Sequence, residues 1–230
     1  MNFEICIDNI EGAIAAEKYG AKRIELCSAL SVGGLTPNYG LIKQCVEKLK
    51  IEVNVMIRHK EGDFRYSKND VIVMKDDIRA AKKAGAHGVV FGILNTNNMV
   101  SKLNEELVVL SKSLGLEVTF HRAFDFVTNY KLAIEKLIEM KVDRLLTSGQ
   151  QPTAEEGLVL ISNLQEIYGD KIQIMAGSGV NVSNALKIAS TGISNLHFTA
   201  QKSITTSSKF SMGNKMVVDE DKIKGIVSLF

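Results

Sequence analysis

Two hundred and thirty residues, 45% of them hydrophobic and 23% charged, can bury one sizeable core, and a single barrel-type domain can use that whole length. With 28 basic against 26 acidic residues and only 6% aromatics, the chain carries no basic footprint for nucleic acid. No basic leader precedes a long apolar run, and no window reaches the apolar length of a membrane span, so a cytoplasmic protein without a membrane partner is expected.

Short β-branched runs alternate with amphipathic stretches from one end to the other. The predicted strands are 3–7 (FEICI), 23–26 (RIEL), 52–57 (EVNVMI), 88–92 (GVVFG), 117–120 (EVTF), 143–147 (DRLLT), 172–176 (IQIMA) and 195–198 (NLHF). Between them the apolar spacing becomes helical: Leu41, Ile42, Cys45, Val46 and Leu49 share one face, as do Leu103, Leu107, Leu110 and Leu114. Gly20, Gly85, Gly115, Gly169 and Gly192 each fall after a helical stretch, where a left-handed cap is expected. Thr36 with Pro37, Asp8 with Glu11, and Thr153 with Glu156 have the spacing of helix starts. Eight strand–helix units without a linker predict a closed (β/α)8 TIM barrel, one domain over 1–230, with an irregular carboxyl-terminal segment.

In such a barrel the chemistry lies at the carboxyl ends of the strands, and side-chain alternation decides what points inward. Glu4 and Cys6 share a face of the first strand, and Glu25 and Cys27 repeat that Glu-x-Cys spacing on the second. The third strand ends at Arg58. The fifth runs straight into His121, Arg122 and Asp125 in VTFHRAFDFVT, a cluster that no strand interior requires. The sixth ends at Thr147 and Ser148, the seventh at Gly177, Ser178 and Gly179, and the eighth contains His197; small residues after strand seven suit a bound anion. The charged loop 58–70 and the polar stretch 199–214 are placed to cover this face.

The segments 3–37 (with ELC and GGLTP), GDFRYS, VTFHRAFD, LLTSG and IMAGSGV resemble the CutC proteins, a family named for copper tolerance. The similarity runs from the first strand to about His197. It implies a TIM barrel, a cytoplasmic location, a link to copper and self-association as a homo-oligomer. Residue by residue the family pattern covers Glu4, Glu25, Cys27, Arg58, Asp63, His121, Arg122, Asp125, Ser148, Gly177, Gly179 and His197, with Cys6 beside them. After the last strand the chain follows the family only loosely.

Two functions are compatible with these residues. In one, Cys6 and Cys27 bind copper(I), a soft ion suited to thiolate. In the other the chain is an enzyme for a small phosphorylated or carboxylated substrate: Glu25, His121, Arg122 and Asp125 carry the chemistry, and Glu4, Arg58, Ser148, Gly177, Gly179 and His197 bind the ligand. Cysteine is also an ordinary core residue, and Cys45, on the apolar face of a helix, is expected to be only that. Three cysteines without CxxC spacing argue against a disulfide framework or a zinc knuckle.

Overall fold

The β-branched runs form eight parallel strands: β1 (Asn2–Ile7), β2 (Arg23–Leu26), β3 (Glu52–Met56), β4 (Gly88–Phe91), β5 (Glu117–Phe120), β6 (Arg144–Thr147), β7 (Gln173–Gly177) and β8 (Asn195–Thr199). They pair in sequence order, and β8 pairs with β1 to close the barrel. The computed structural model describes residues 1–204 and 215–230.

The helices are α1 (Ile10–Lys18), α2 (Tyr39–Lys48), α3 (Lys68–Lys83), α4 (Leu103–Ser113), α5 (Tyr130–Glu139), α6 (Leu158–Tyr168), α7 (Ala185–Ala189) and α8 (Glu220–Val227). Each covers the outside of the sheet with an apolar stripe: α2 buries Ile42 and Cys45, α4 buries Leu107 and Val108, and α8 buries Ile223 and Ile226. Between helices and sheet lie Phe91, Phe120 and Phe124, fully buried, each stabilising the fold by about 1.5–3 kcal/mol.

Helix starts differ from the spacing-based expectation. Asn9, not Asp8, caps α1 and accepts from the Gly12 N–H; Asn38, not Thr36, caps α2. Thr36 is engaged elsewhere, accepting from the Arg58 N–H and donating to Asp77. Thr153 accepts from Glu156 in a turn, while α6 itself begins after Gly157. At α1 and α2 the asparagine nearer the first helical turn has the geometry to reach its N–H groups, while α6 starts without a side-chain cap.

Gly20, Gly85, Gly115 and Gly192 have positive φ as expected. Gly169 does not: its φ is −58°, and glycine is needed there because a Cβ would stand 2.4 Å from the Gln165 carbonyl oxygen. Of the polar stretch after β8, residues 201–204 form strand β9 (Gln201–Ile204), antiparallel to β10 (Lys215–Val218); 205–214 lie outside the described residues. α8 follows β10 and supplies the eighth helix.

Candidate functional site: a polar barrel interior opening on a cavity

The strand registers stack inward-pointing side chains in layers of four, contributed by alternate strands. From the amino-terminal end these are Arg23, Gly88, Arg144 and Asn195; then Glu4, Asn54, Thr119 and Met175; then Glu25, Val90, Leu146 and His197; then Cys6, Met56, His121 and Gly177. Branched apolar residues are the usual filling of this barrel type. Here the filling is mostly polar, and it has to be internally paired to be stable.

The lower two layers pair around one carboxylate, with Asn54 Oδ1 the buried side-chain atom left without a partner there among the described residues. Glu4, with no exposed surface, accepts from Arg23 Nε at 2.8 Å, Asn54 Nδ2 at 3.0 Å and faces His197 Nδ1 at 2.9 Å. Burial opposes the charge of Glu4, but the His197 hydrogen bond and the Arg23 guanidinium hold it well below the usual carboxylate range. Arg144 donates to Thr119, Gln173 and Glu117.

One layer higher, His197 Nε2 lies 3.6 Å from Glu25 Oε2. Burial resists a charge on His197, yet the Glu25 carboxylate, the Cys6 thiol and Glu4 together raise it well above the ordinary imidazole value. His197 lies between two carboxylates, which favour its protonated form. Glu25 is itself raised, by burial and by the charge on Glu4, with His197 acting in the opposite direction.

The thiols lie beside this group. Cys6 Sγ and Cys27 Sγ are 3.7 Å apart, and Cys27 Sγ is 3.6 Å from Glu25 Oε2. The contact with Cys27, burial and Glu25 raise Cys6 well above the ordinary thiol value. At Cys27 the Cys6 contact acts downward, but burial and Glu25 push the thiol up to about 11. The GGLTP segment is the lid on Cys27: Gly34, at φ +86°, passes so close that a Cβ would stand 3.0 Å from the sulfur. Arg58 ties this lid down, donating to the carbonyls of Val32, Gly34 and Gly62.

Above these layers a cavity of about 890 Å3 opens at the carboxyl ends of the strands. Cys6, Glu25, Arg58, His121, Arg122, Gly179 and His197 line it. Glu4 and Cys27 face inward but are sealed beneath and behind its wall. Gly177 is not in the lining; its missing side chain makes room for Leu146 and His197.

The HRAFD cluster divides its roles. His121 is buried, accepts from the Ala123 N–H through Nδ1 at 3.2 Å, and packs on Phe64. Its ring fits only because glycine follows β4: a Cβ on Gly92 would meet it at 2.7 Å. Asp125 turns away from the cavity, accepting from Thr147 Oγ1, the Ser148 and Gln150 N–H groups, Ser148 Oγ and Arg122 Nε. The single Ser148 hydroxyl proton is shared between Asp125 and the Gln151 carbonyl, outside the cavity lining.

Three cavity-lining groups, Glu25 Oε1, Arg58 Nε and His121 Nε2, are buried without a hydrogen-bond partner among the described residues. Sequence reasoning did not find Asn54, Thr119, Arg144 or Asn195, although polar residues at inward positions of apolar strands were the available signal. It also did not find Lys222, which reaches the rim from α8, far along the chain from the other lining residues.

Fold and site define a (β/α)8-barrel protein with a polar, ligand-sized cavity at the carboxyl ends of its strands. No helix among the described residues is long and apolar enough to cross a membrane. The model of the CutC family matches residues 1–202. The family protein CutC of Glaesserella parasuis is 42% identical, over 99% of this chain and 98% of that protein. Its counterpart in Bacteroides fragilis is 43% identical, over 95% and 89% respectively. The crystal structure of CutC from Streptococcus agalactiae, to which a role in copper homeostasis is ascribed, superposes with a TM-score of 0.80 at 33% identity, covering 86% of this chain and 98% of that one. The chain belongs to the CutC family.

Proposed function

We propose that this chain takes part in copper homeostasis, and that copper(I) is held between the thiols of Cys6 and Cys27 with Glu25 alongside. The observation that carries this reading is the thiol pair itself, 3.7 Å apart, Cys6 on the cavity lining and Cys27 sealed behind it, with the Glu25 carboxylate 3.6 Å from Cys27. Sulfur donors and few ligands suit a soft monovalent ion. The neighbouring group of Glu4, Glu25 and His197 fits a metal less well, because both ring nitrogens of His197 face carboxylates that favour its protonated form and Glu4 is taken by Arg23 and Asn54. Both thiols carry protons at neutral pH, so binding has to release them.

Titration of the reduced protein with copper(I) against a chromophoric chelator tests the site. About one equivalent should bind, and Cys27→Ser should lose most of the affinity while Cys45→Ser keeps it. Equal binding by the Cys6/Cys27 double serine variant would end the proposal. Zinc should compete poorly for lack of further nitrogen or sulfur ligands. The same reading carries a cytoplasmic location and self-association, the latter testable by sedimentation.

A second reading, an enzyme acting on a small anion, is favoured by the three unpartnered groups. Buried polar atoms without partners are costly unless a ligand supplies them. Charge points the same way: Arg58, Arg65, Arg122, Lys222 and His197 line the cavity against Glu25 and Asp63. In this reading Glu25 and His121 act on the substrate, Arg58, Gly179 and His197 contact it, and Arg122, Asp125, Ser148, Gly177 and Glu4 hold those groups in place. Inorganic phosphate should raise the melting midpoint of the wild type and not of Arg58→Met.

A further inference from the structure

Glu25 and His121 stand in adjacent interior layers and both reach the cavity, Glu25 on its floor and His121 one layer above. Each has one buried polar atom without a hydrogen-bond partner among the described residues. Glu25 Oε2 is committed to His197 and Cys27, which leaves Oε1. His121 Nδ1 is committed to the Ala123 N–H, which puts the ring proton on Nε2. Besides His197 on the floor and the buried Arg58, the cationic lining groups Arg65, Arg122 and Lys222 stand at exposed or half-exposed positions toward the rim.

We propose that the cavity catalyses proton transfer at a carbon next to a carbonyl, isomerising a small hydroxyaldehyde or hydroxyketone that carries a phosphate or carboxylate. This rests on the anion-substrate reading and assigns its chemistry. The anionic group lies toward the rim cations, and the carbonyl end reaches down to Glu25 and His121. Glu25 Oε1 takes the proton from the hydroxyl-bearing carbon. The C–H bonding pair forms a C=C bond, and the carbonyl π pair moves onto oxygen, where His121 Nε2–H donates a hydrogen bond.

The Glu25 carboxyl then returns its proton to the former carbonyl carbon, and the hydroxyl proton passes between the two oxygens. No oxidant or reductant is consumed. His121 suits this donor role: burial and the nearby Arg58 charge lower its pKa to about 3, so it is a neutral ring across the working range. Gly92 is part of the device, since any side chain there would displace the ring.

The test incubates the protein in D2O with glyceraldehyde 3-phosphate, erythrose 4-phosphate, ribose 5-phosphate or glucuronate, and follows by proton NMR the loss of the signal at the carbon next to the carbonyl. At least one compound should exchange, with the rate falling by about 100-fold or more in Glu25→Gln and by about 10-fold or more in His121→Gln. Should Glu25→Gln fail to fold, Glu25→Asp withdraws the carboxylate by one methylene and should still cost about 10-fold. Exchange at the wild-type rate in the Glu25 variants overturns the proposal. Absence of exchange while inorganic phosphate still raises the melting midpoint overturns the isomerase and leaves the anion site standing. Absence of both removes the reading beneath it as well.

Discussion

Replacing Asp125 by alanine should be among the most destabilising single changes at the rim, although the residue touches no part of the cavity. Its carboxylate is the acceptor for the Ser148 and Gln150 N–H groups, for Thr147 Oγ1 and for Ser148 Oγ, in addition to Arg122. Ser148 Oγ keeps the Gln151 carbonyl, and the Arg122 side chain is 38% exposed and can return to water. What remains is two backbone donors and one hydroxyl stranded in a largely buried turn, at about 1–3 kcal/mol each. Water entering the vacated space offsets part of this, leaving a loss of about 3–5 kcal/mol. Asp125→Asn keeps one acceptor oxygen and should lose roughly half as much. Arg122→Ala removes a half-exposed ion pair and the Nη2 hydrogen bond to Ser148 Oγ, whose hydroxyl keeps other partners, and should cost about 1 kcal/mol. Urea unfolding of the three variants at neutral pH measures the order. If Asp125→Ala lies within 1 kcal/mol of the wild type, or if Arg122→Ala costs as much, the turn is not organised by this carboxylate.

Arg23→Met should destabilise strongly, by about 3–5 kcal/mol, because it leaves the Glu4 carboxylate buried with one cation removed. The double variant Glu4→Gln/Arg23→Met should recover part of that loss, and a strictly additive double mutant in urea unfolding would show that the pair is not coupled. His121 makes the fold acid-sensitive. Its pKa in the folded protein, about 3, is below the unfolded value of about 6.5, so the unfolded chain binds the extra proton. The cost is absent above pH 6.5 and grows as pH falls toward 3, by about 1.4 kcal/mol per unit. The stability difference between wild type and His121→Phe should therefore move by about 1.4 kcal/mol between pH 7.5 and 5.5, and parallel profiles would refute the buried neutral ring.

The alternation of β-branched runs and helical stripes, the eightfold count and the inward parity of Glu4, Cys6, Glu25 and Cys27 were all determined by the sequence, because each depends on residues a few positions apart. Even the match of helix ends to Gly20, Gly85, Gly115 and Gly192 is local, a matter of one left-handed residue. Which inward group meets which was decided only by tertiary structure. His197 reaches Glu4 across 193 residues, and Arg23 finds Glu4 rather than any other carboxylate because of the stagger with which β2 lies against β1. Periodicity carries no information about that stagger. For the same reason Asp125 and His121, neighbours in one motif, part company: the β6 end presents Asp125 with a turn to organise, while the empty position at Gly92 on β4 lets His121 lean over the cavity. The groups that set the protonation of Glu25, His197 and the thiols come from β1, β2 and β8 and their ends, and only the closed barrel brings the last strand within a few ångströms of the first two.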